Sequence, residues 1–358
     1  MEAEEGRALG SMSQPPLDVV TPEGKPSAAA PGVRAEPLLV FVHIPKAAGK
    51  TLAKILHRHY GDDFVGGGGE DRQAPLGMRA APNVFSRLDQ VDAQLRSIAS
   101  MSNVRAIAGH ITFGLHDRLP VNARYITLLR EPVERTLSHY FFFVQPPGKR
   151  AGRAGKGFVP PWLPQPSPDL TLDESLTERG YIPDNLQTRM LCGLVSPYDP
   201  LPPDALERAK LNLRERFAFV GTTERFAEFL ALLNLDLEWP TVACKPANVN
   251  RHRPRKRDIP PNVVRLVEER NTLDRELHAY AEELLTERLA HAGPELDLEI
   301  EVLKHAARSG SRALDRSWPI DVRVALALAE AELAEAQLRI KRLNSRLKWR
   351  TRRPRGGE

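Results

Sequence analysis

Cysteine is scarce in this 358-residue chain, which has only Cys192 and Cys244. Two are too few for a disulfide framework, and no paired Cys/His spacing matches a zinc site, so no structural metal is expected. Long apolar runs are missing too. Nothing approaches the roughly 20 residues that span a bilayer, and Met1 to Glu36 has no apolar stretch of the signal-peptide kind. The expectation is a soluble, cytoplasmic protein. Charge of one sign is also in short supply. The chain carries 51 basic and 46 acidic side chains, a net +5, and Lys341 to Glu358 alone holds eight Lys/Arg and one acid, leaving about −2 for the rest. The body therefore has no nucleic-acid signature, and no nucleic-acid partner is expected.

What is present is enough apolar residue, 41%, to bury a full core, and length for one large domain plus appendages. Residues 1–36 hold five prolines and an alanine run, cannot bury enough surface to offset the entropy of ordering, and are read as a disordered leader. Leu38 to Val42 is a continuous apolar run of the type found in strands buried on both faces of a parallel sheet. A helical pattern over Lys50–Tyr60 follows, and a polar helix carrying Leu88, Val91 and Leu95 comes after the Gly66–Gly69 break. Val104–Ala108 and Tyr125–Leu129 read as strands, the second leading into a helix that starts near Pro132. Gln145–Asp169 reads as a long surface loop. Helices are expected over Leu170–Glu178, Asn185–Leu191, Asp204–Arg214 and Glu224–Leu233, a strand over Phe217–Gly221, and a long helix from Asn262 to Leu289, where the core ends. Alternating strands and helices predict an α/β fold: a P-loop-like parallel sheet flanked by helices.

Two stretches suit anions. In His43-Ile-Pro-Lys-Ala-Ala-Gly-Lys-Thr51, which joins the first strand to its helix, backbone N–H groups and the positive end of the helix dipole face the loop. Lys46, Ala47, Ala48, Gly49, Lys50 and Thr51 form the candidate cradle. Gly49 permits close backbone approach, Thr51 offers a hydroxyl, and Lys46 and Lys50 supply charge. The Gly-Lys-Thr ending is half of the nucleotide triphosphatase loop motif, whose earlier glycine is replaced by Ile44. In the second stretch, Tyr125 to Tyr140, Arg130 stands at a strand's carboxyl end and Ser138 two helical turns on. Ligands sit at such edges, where the planar fork of Arg130 and the hydroxyl of Ser138 can hold one phosphate.

The two motifs, His43–Thr51 and Leu129–Ser138, resemble in kind and order those of sulfotransferases that use 3′-phosphoadenosine 5′-phosphosulfate (PAPS). The resemblance is to the glycan branch that includes heparan sulfate 2-O- and 6-O-sulfotransferases and their bacterial relatives, and it covers roughly residues 38–290. Further echoes are Asn185–Leu191, Phe219–Phe226 and Asn248-Val-Asn250. One departure is Lys50, where the family usually has a hydroxyl residue. The resemblance implies transfer of a sulfuryl group from PAPS to a hydroxyl of a carbohydrate or glycolipid, with 3′-phosphoadenosine 5′-phosphate (PAP) as product and no metal required. Lys46 would stabilise the leaving oxygen. His110, in a Gly-His context like that of the family's catalytic histidine, would be the general base; His116 and His43 are the fallbacks, His43 more suited to holding the loop's shape. Asn185, Gln187 and Arg189 read equally as ligand contacts or as a helix cap and surface groups, and Arg251–Arg257 as a phosphate-closing or merely solvated basic loop.

The implied organisation is a leader over 1–36, a PAPS-dependent sulfotransferase domain over 37–292, and a helical extension over 293–358. In the extension Leu326, Leu333, Ile340 and Leu347 recur every seven residues, an a/d seam of a coiled coil. Self-association into a homo-oligomer through residues 322–347 and a lone helix folded back on the core fit the seam equally. The basic end can touch an anionic membrane surface peripherally or simply remain solvated. Two other classes compete: a P-loop-type nucleotide kinase, resting on Gly49-Lys50-Thr51, and a catalytically inactive scaffold or membrane-adjacent binding protein.

Overall fold

The structure, a computed structural model, describes residues 37–66, 103–114, 122–143, 171–172, 174, 182–194, 198–239, 254 and 256–309, with six isolated positions between 325 and 340. Five strands, β1 (Leu38–Val42), β2 (Phe64–Gly66), β3 (Ala106–Gly109), β4 (Ala123–Leu129) and β5 (Phe217–Thr222), form one sheet in the order β2-β3-β1-β4-β5. Every pairing is parallel. The helices are α1 (Gly49–Tyr60), α2 (Pro132–Phe143), α3 (Leu186–Leu191), α4 (Ala205–Glu215), α5 (Phe226–Asp236), α6 (Pro261–Arg270), α7 (Thr272–Ala290) and α8 (Pro294–Ser309).

All five residues of β1 are buried because both faces of the sheet are covered. Side chains alternate across a strand. Leu38, Val40 and Val42 therefore join one core with Leu129, Met190, Leu213 and Leu277, while Leu39 and Phe41 join a second with Leu52, Leu56, Phe229 and Leu285. This arrangement matches the expected α/β sheet flanked by helices.

Three features differ from the sequence expectation. The three-residue edge strand β2 was not anticipated next to the Gly66–Gly69 break. The long helix 262–289 is two helices, α6 and α7, broken at Asn271, whose backbone leaves the helical region at φ −127° and ψ 37°. Its side chain compensates: Nδ2 donates to the Val267 carbonyl (2.8 Å) and Oδ1 accepts from the Asn185 N–H (3.1 Å). The core also continues past Leu289. Leu296, Ile300 and Leu303 of α8 enter the second core, and the buried Glu299 accepts a hydrogen bond from Asn234 of α5 (3.0 Å).

The expected helix around Leu88–Leu95, the Gln145–Asp169 loop and most of Leu170–Glu178 lie outside the described residues. So does most of the heptad seam, of which Ile340 is helical and exposed. Among the described residues no helix is long and apolar enough to cross a membrane.

Candidate functional site

Strand order brings the predicted residues together. β1 lies between β3 and β4, with Val42 in register with Gly109 on one side and Thr127 on the other. The segments that follow these three strands, beginning at His43, His110 and Arg130, consequently leave the same edge of the sheet side by side. The His43 N–H donates to the Gly109 carbonyl (2.9 Å), carrying the β1–β3 ladder one step beyond the strands, and Thr127 Oγ1 donates to the Val42 carbonyl (3.0 Å).

The loop after β1 is bent by two non-glycine residues in the left-handed region, Lys46 (φ 71°) and Ala48 (φ 54°). Each such residue costs about 1–2 kcal/mol, which the surrounding packing must offset. Backbone of alternating hand turns successive N–H groups toward one side, an anion-binding concavity. Ala48 is the N-cap of α1 but contributes no side-chain hydrogen bond, and the first turn of α1 has no acidic residue. The positive end of α1 is thus not offset by a carboxylate of the helix's own first turn. Ala47 and Thr51 are buried, Lys46 and Ala48 half-buried, and Lys50 exposed. Ile44, which occupies the glycine position of the nucleotide triphosphatase motif, is fully buried in the core.

Gly49 does something other than admit a ligand. A Cβ built there would lie 1.8 Å from His43 Cδ2 and 2.0 Å from Nε2, so the glycine makes room for an imidazole. That ring stacks on Phe41 (5.5 Å between centroids) and meets His110 at 4.6 Å. His43 is a packing residue beneath the loop.

The second stretch joins the first through Arg130. Its Nη1 donates to the Lys46 carbonyl (3.1 Å) and its Nη2 pairs with Glu134 (3.2 Å). Ser138, one helical turn after Glu134, shares its face of α2 and is half-buried. The Glu131 carboxylate caps α2 by accepting from the Glu134 N–H (2.7 Å).

The electrostatics favour an anion and a neutral base. Burial first, then Lys50 and Lys46, push His110 down to about 4, so its imidazole is uncharged at neutral pH and able to accept a proton. Burial, then His110, Lys50 and Lys46, hold His43 well below the usual histidine range. Sequence reasoning missed His139 and Arg135, although both stand within the second stretch, Tyr125 to Tyr140. His139 is held low by burial, Arg135, Lys46 and His110. Arg135 is fully buried, and burial lowers its guanidinium to about 10 against the pull of Asp274.

Asn185, Gln187 and Arg189 are buried and hydrogen-bond within the protein. Asn185 Oδ1 accepts from the Leu273 and Asp274 N–H groups (3.0 and 3.2 Å), capping α7. Asp274 returns the contact, accepting from the N–H groups of Gln187 (3.1 Å) and Thr188 (2.8 Å) and from Thr188 Oγ1 (2.9 Å). Gln187 holds the backbone of Arg130, and Arg189 pairs with Asp184 (2.8 Å). His116 lies outside the described residues, and of the basic loop Lys256 bonds Glu268 (3.2 Å).

A family model described as galactose-3-O-sulfotransferase matches residues 8–316, most of the chain. The chain belongs to that family. Relatives of this galactose-3-O-sulfotransferase family member include heparan sulfate 2-O-sulfotransferase hst-2 of Caenorhabditis elegans, 33% identical over 137 residues (36% of this chain, 39% of the relative). Heparan sulfate 2-O-sulfotransferase 1 of Cricetulus griseus is 26% identical over 229 residues, 61% of this chain and 59% of the relative. The human protein of that name is 26% identical over 212 residues (56% and 54%). The matched region spans less than two thirds of each relative's length.

Proposed function

We propose that this protein transfers a sulfuryl group from PAPS to a hydroxyl of a carbohydrate or glycolipid. The observation that carries the reading is the Arg130–Lys46 contact, which links two cationic elements, with His110 packed on His43 of the same loop and within the electrostatic reach of Lys46 and Lys50. Family membership supports sulfuryl transfer, and the names of the family and the relatives, galactose and heparan sulfate, support a sugar acceptor.

In this reading the loop Lys46–Thr51 and the start of α1 bind the 5′-phosphosulfate, while Arg130 and Ser138 bind the 3′-phosphate. The donor supplies an activated sulfur whose bond to the bridging oxygen breaks as the acceptor oxygen attacks in line. His110 takes the proton of the attacking hydroxyl at its imidazole, and Lys46 stabilises the charge that develops on the departing PAP oxygen. Lys50 adds an ammonium where a hydroxyl is usual in this type of loop, strengthening the anion's hold and keeping His110 neutral before the donor arrives.

The test is thermal. PAP should raise the melting temperature without Mg²⁺, the shift should vanish in Arg130→Ala, and labelled sulfate transfer to glycans should be lost in His110→Ala. Absence of any PAP shift at millimolar concentration, or stabilisation only by ATP with Mg²⁺, would reject the assignment. Transfer retained in His110→Ala would reject the base alone.

A further inference from the structure

Gln187 is fully buried on α3, yet its side chain leaves its own helix and grips a single residue of β4's exit. Its Oε1 accepts from the Arg130 N–H (2.9 Å) and its Nε2 donates to the Arg130 carbonyl (2.9 Å). One amide thus satisfies both backbone groups of one residue, as a neighbouring strand would. The need for it is topological. The ladder between β4 and β5 ends at Leu129 and Thr222, with one last bond from the Thr223 N–H to the Leu129 carbonyl (2.9 Å). Beyond that point no strand among the described residues holds Arg130, and the Gln187 amide takes over.

We infer that Gln187 is a positioning residue whose amide fixes the backbone of Arg130 so that its guanidinium faces the donor's 3′-phosphate. The inference rests on the donor reading given above. The mechanical chain is continuous. Asp274 of α7 anchors the N-terminus of α3 through the Gln187 and Thr188 N–H groups, Gln187 holds the Arg130 backbone, and Arg130 Nη1 reaches the Lys46 carbonyl (3.1 Å). Because Arg130 is long, a small rotation at its backbone is magnified at the guanidinium, and binding geometry tolerates only about 0.5 Å of error. Gln187 touches neither reacting atoms nor phosphate in this scheme; it acts through Arg130.

The test uses Gln187→Met, which keeps the side chain's length and loses both hydrogen bonds, and two ligands that differ in the 3′-phosphate, PAP and adenosine 5′-phosphate. Loss of the clamp should weaken PAP about tenfold and leave adenosine 5′-phosphate unchanged. In turnover the KM for PAPS should rise by a similar factor while kcat at saturating donor holds within about twofold. Equal weakening of both ligands, or no weakening of PAP, overturns the inference. Should Gln187→Met fail to fold, Gln187→Glu serves: it preserves volume and the acceptor for the Arg130 N–H but opposes the carbonyl, and it should show the same selective loss. Unfolding of both variants would mark Gln187 as a core residue only and overturn the role. If the parent protein does not bind PAP, the donor reading falls and takes this inference with it. Tight parent binding with unaltered variants sinks the clamp alone.

Discussion

Replacing Gly49 with alanine tests the packing beneath the Lys46–Thr51 loop. The new methyl would lie 1.8 Å from His43 Cδ2 and 2.5 Å from Cγ, whereas ordinary carbon contacts are about 3.5–4.0 Å. The ring must therefore retreat by roughly 1.5 Å or more. Its path is obstructed by the stacked Phe41 ring and by His110. Overpacking of this severity costs about 3 kcal/mol, the upper end of the usual range. Alanine regains about 1 kcal/mol of helix propensity, since Gly49 opens α1 and its φ is not positive. The net loss is about 2 kcal/mol, or a melting temperature lower by about 4–8 °C for a domain of this size. The decisive arm is the double variant. With His43→Ala the ring is gone, and adding Gly49→Ala should then be neutral or stabilising by up to about 1 kcal/mol. Urea unfolding of the parent, both single variants and the double variant gives the cycle directly. If Gly49→Ala costs the same with and without His43, the steric account is wrong and the glycine serves some other purpose.

Two further perturbations read other parts of the site. Because His110 is held near 4 in the free protein, the acid limb of kcat/KM should fall near pH 4, leaving the profile flat in this group from about pH 5 upward. Lys50→Met removes the larger of the two lysine contributions and should move that limb toward 6.5; a parent limb already at 6.5 would contradict the assignment. Asp274→Ala strips three hydrogen-bond acceptor contacts from α3 and leaves the buried Arg135 without its compensating carboxylate, so unfolding free energy should drop by about 3–5 kcal/mol. A loss below about 1 kcal/mol in urea unfolding would show that the carboxylate does not organise these helices.

The parts legible in the sequence are those where local pattern and tertiary environment agree. β1 could be read to the residue because a strand buried on both faces has no polar positions, and α1, expected from Lys50 and observed from Gly49, to within one residue because the loop motif marks its start. The convergence of Lys46, His110 and Arg130 follows once their strands are neighbours, which order along the chain does not reveal: β1 separates β3 from β4. What the sequence hid were polar residues with structural work. Gln187 and Asn185 have the composition of surface groups, and only long-range partners at Arg130 and Asn271 show them to be interior. The break at Asn271 had a signal, an asparagine followed by Thr-Leu-Asp, a common way to open a helix. So had α8, whose Leu296, Ile300 and Leu303 repeat at helical spacing behind Pro294. β2 is too short to carry a periodicity of its own.

The reciprocal capping of α3 and α7 bears on when the protein becomes competent during synthesis. α3 has six residues, far fewer than the roughly 12–15 that sustain helix in isolation, and its N-terminus is held by a carboxylate 86–87 residues downstream. Contacts of such sequence separation form late, because the intervening chain must be made and closed first. On the ribosome, then, Arg130 emerges long before its clamp can seat. A nascent chain stalled ahead of Asp274 should already possess β1, β3 and β4 but lack the finished Arg130 clamp, so capture of PAP, on the proposed reading, would report completion of the C-terminal half.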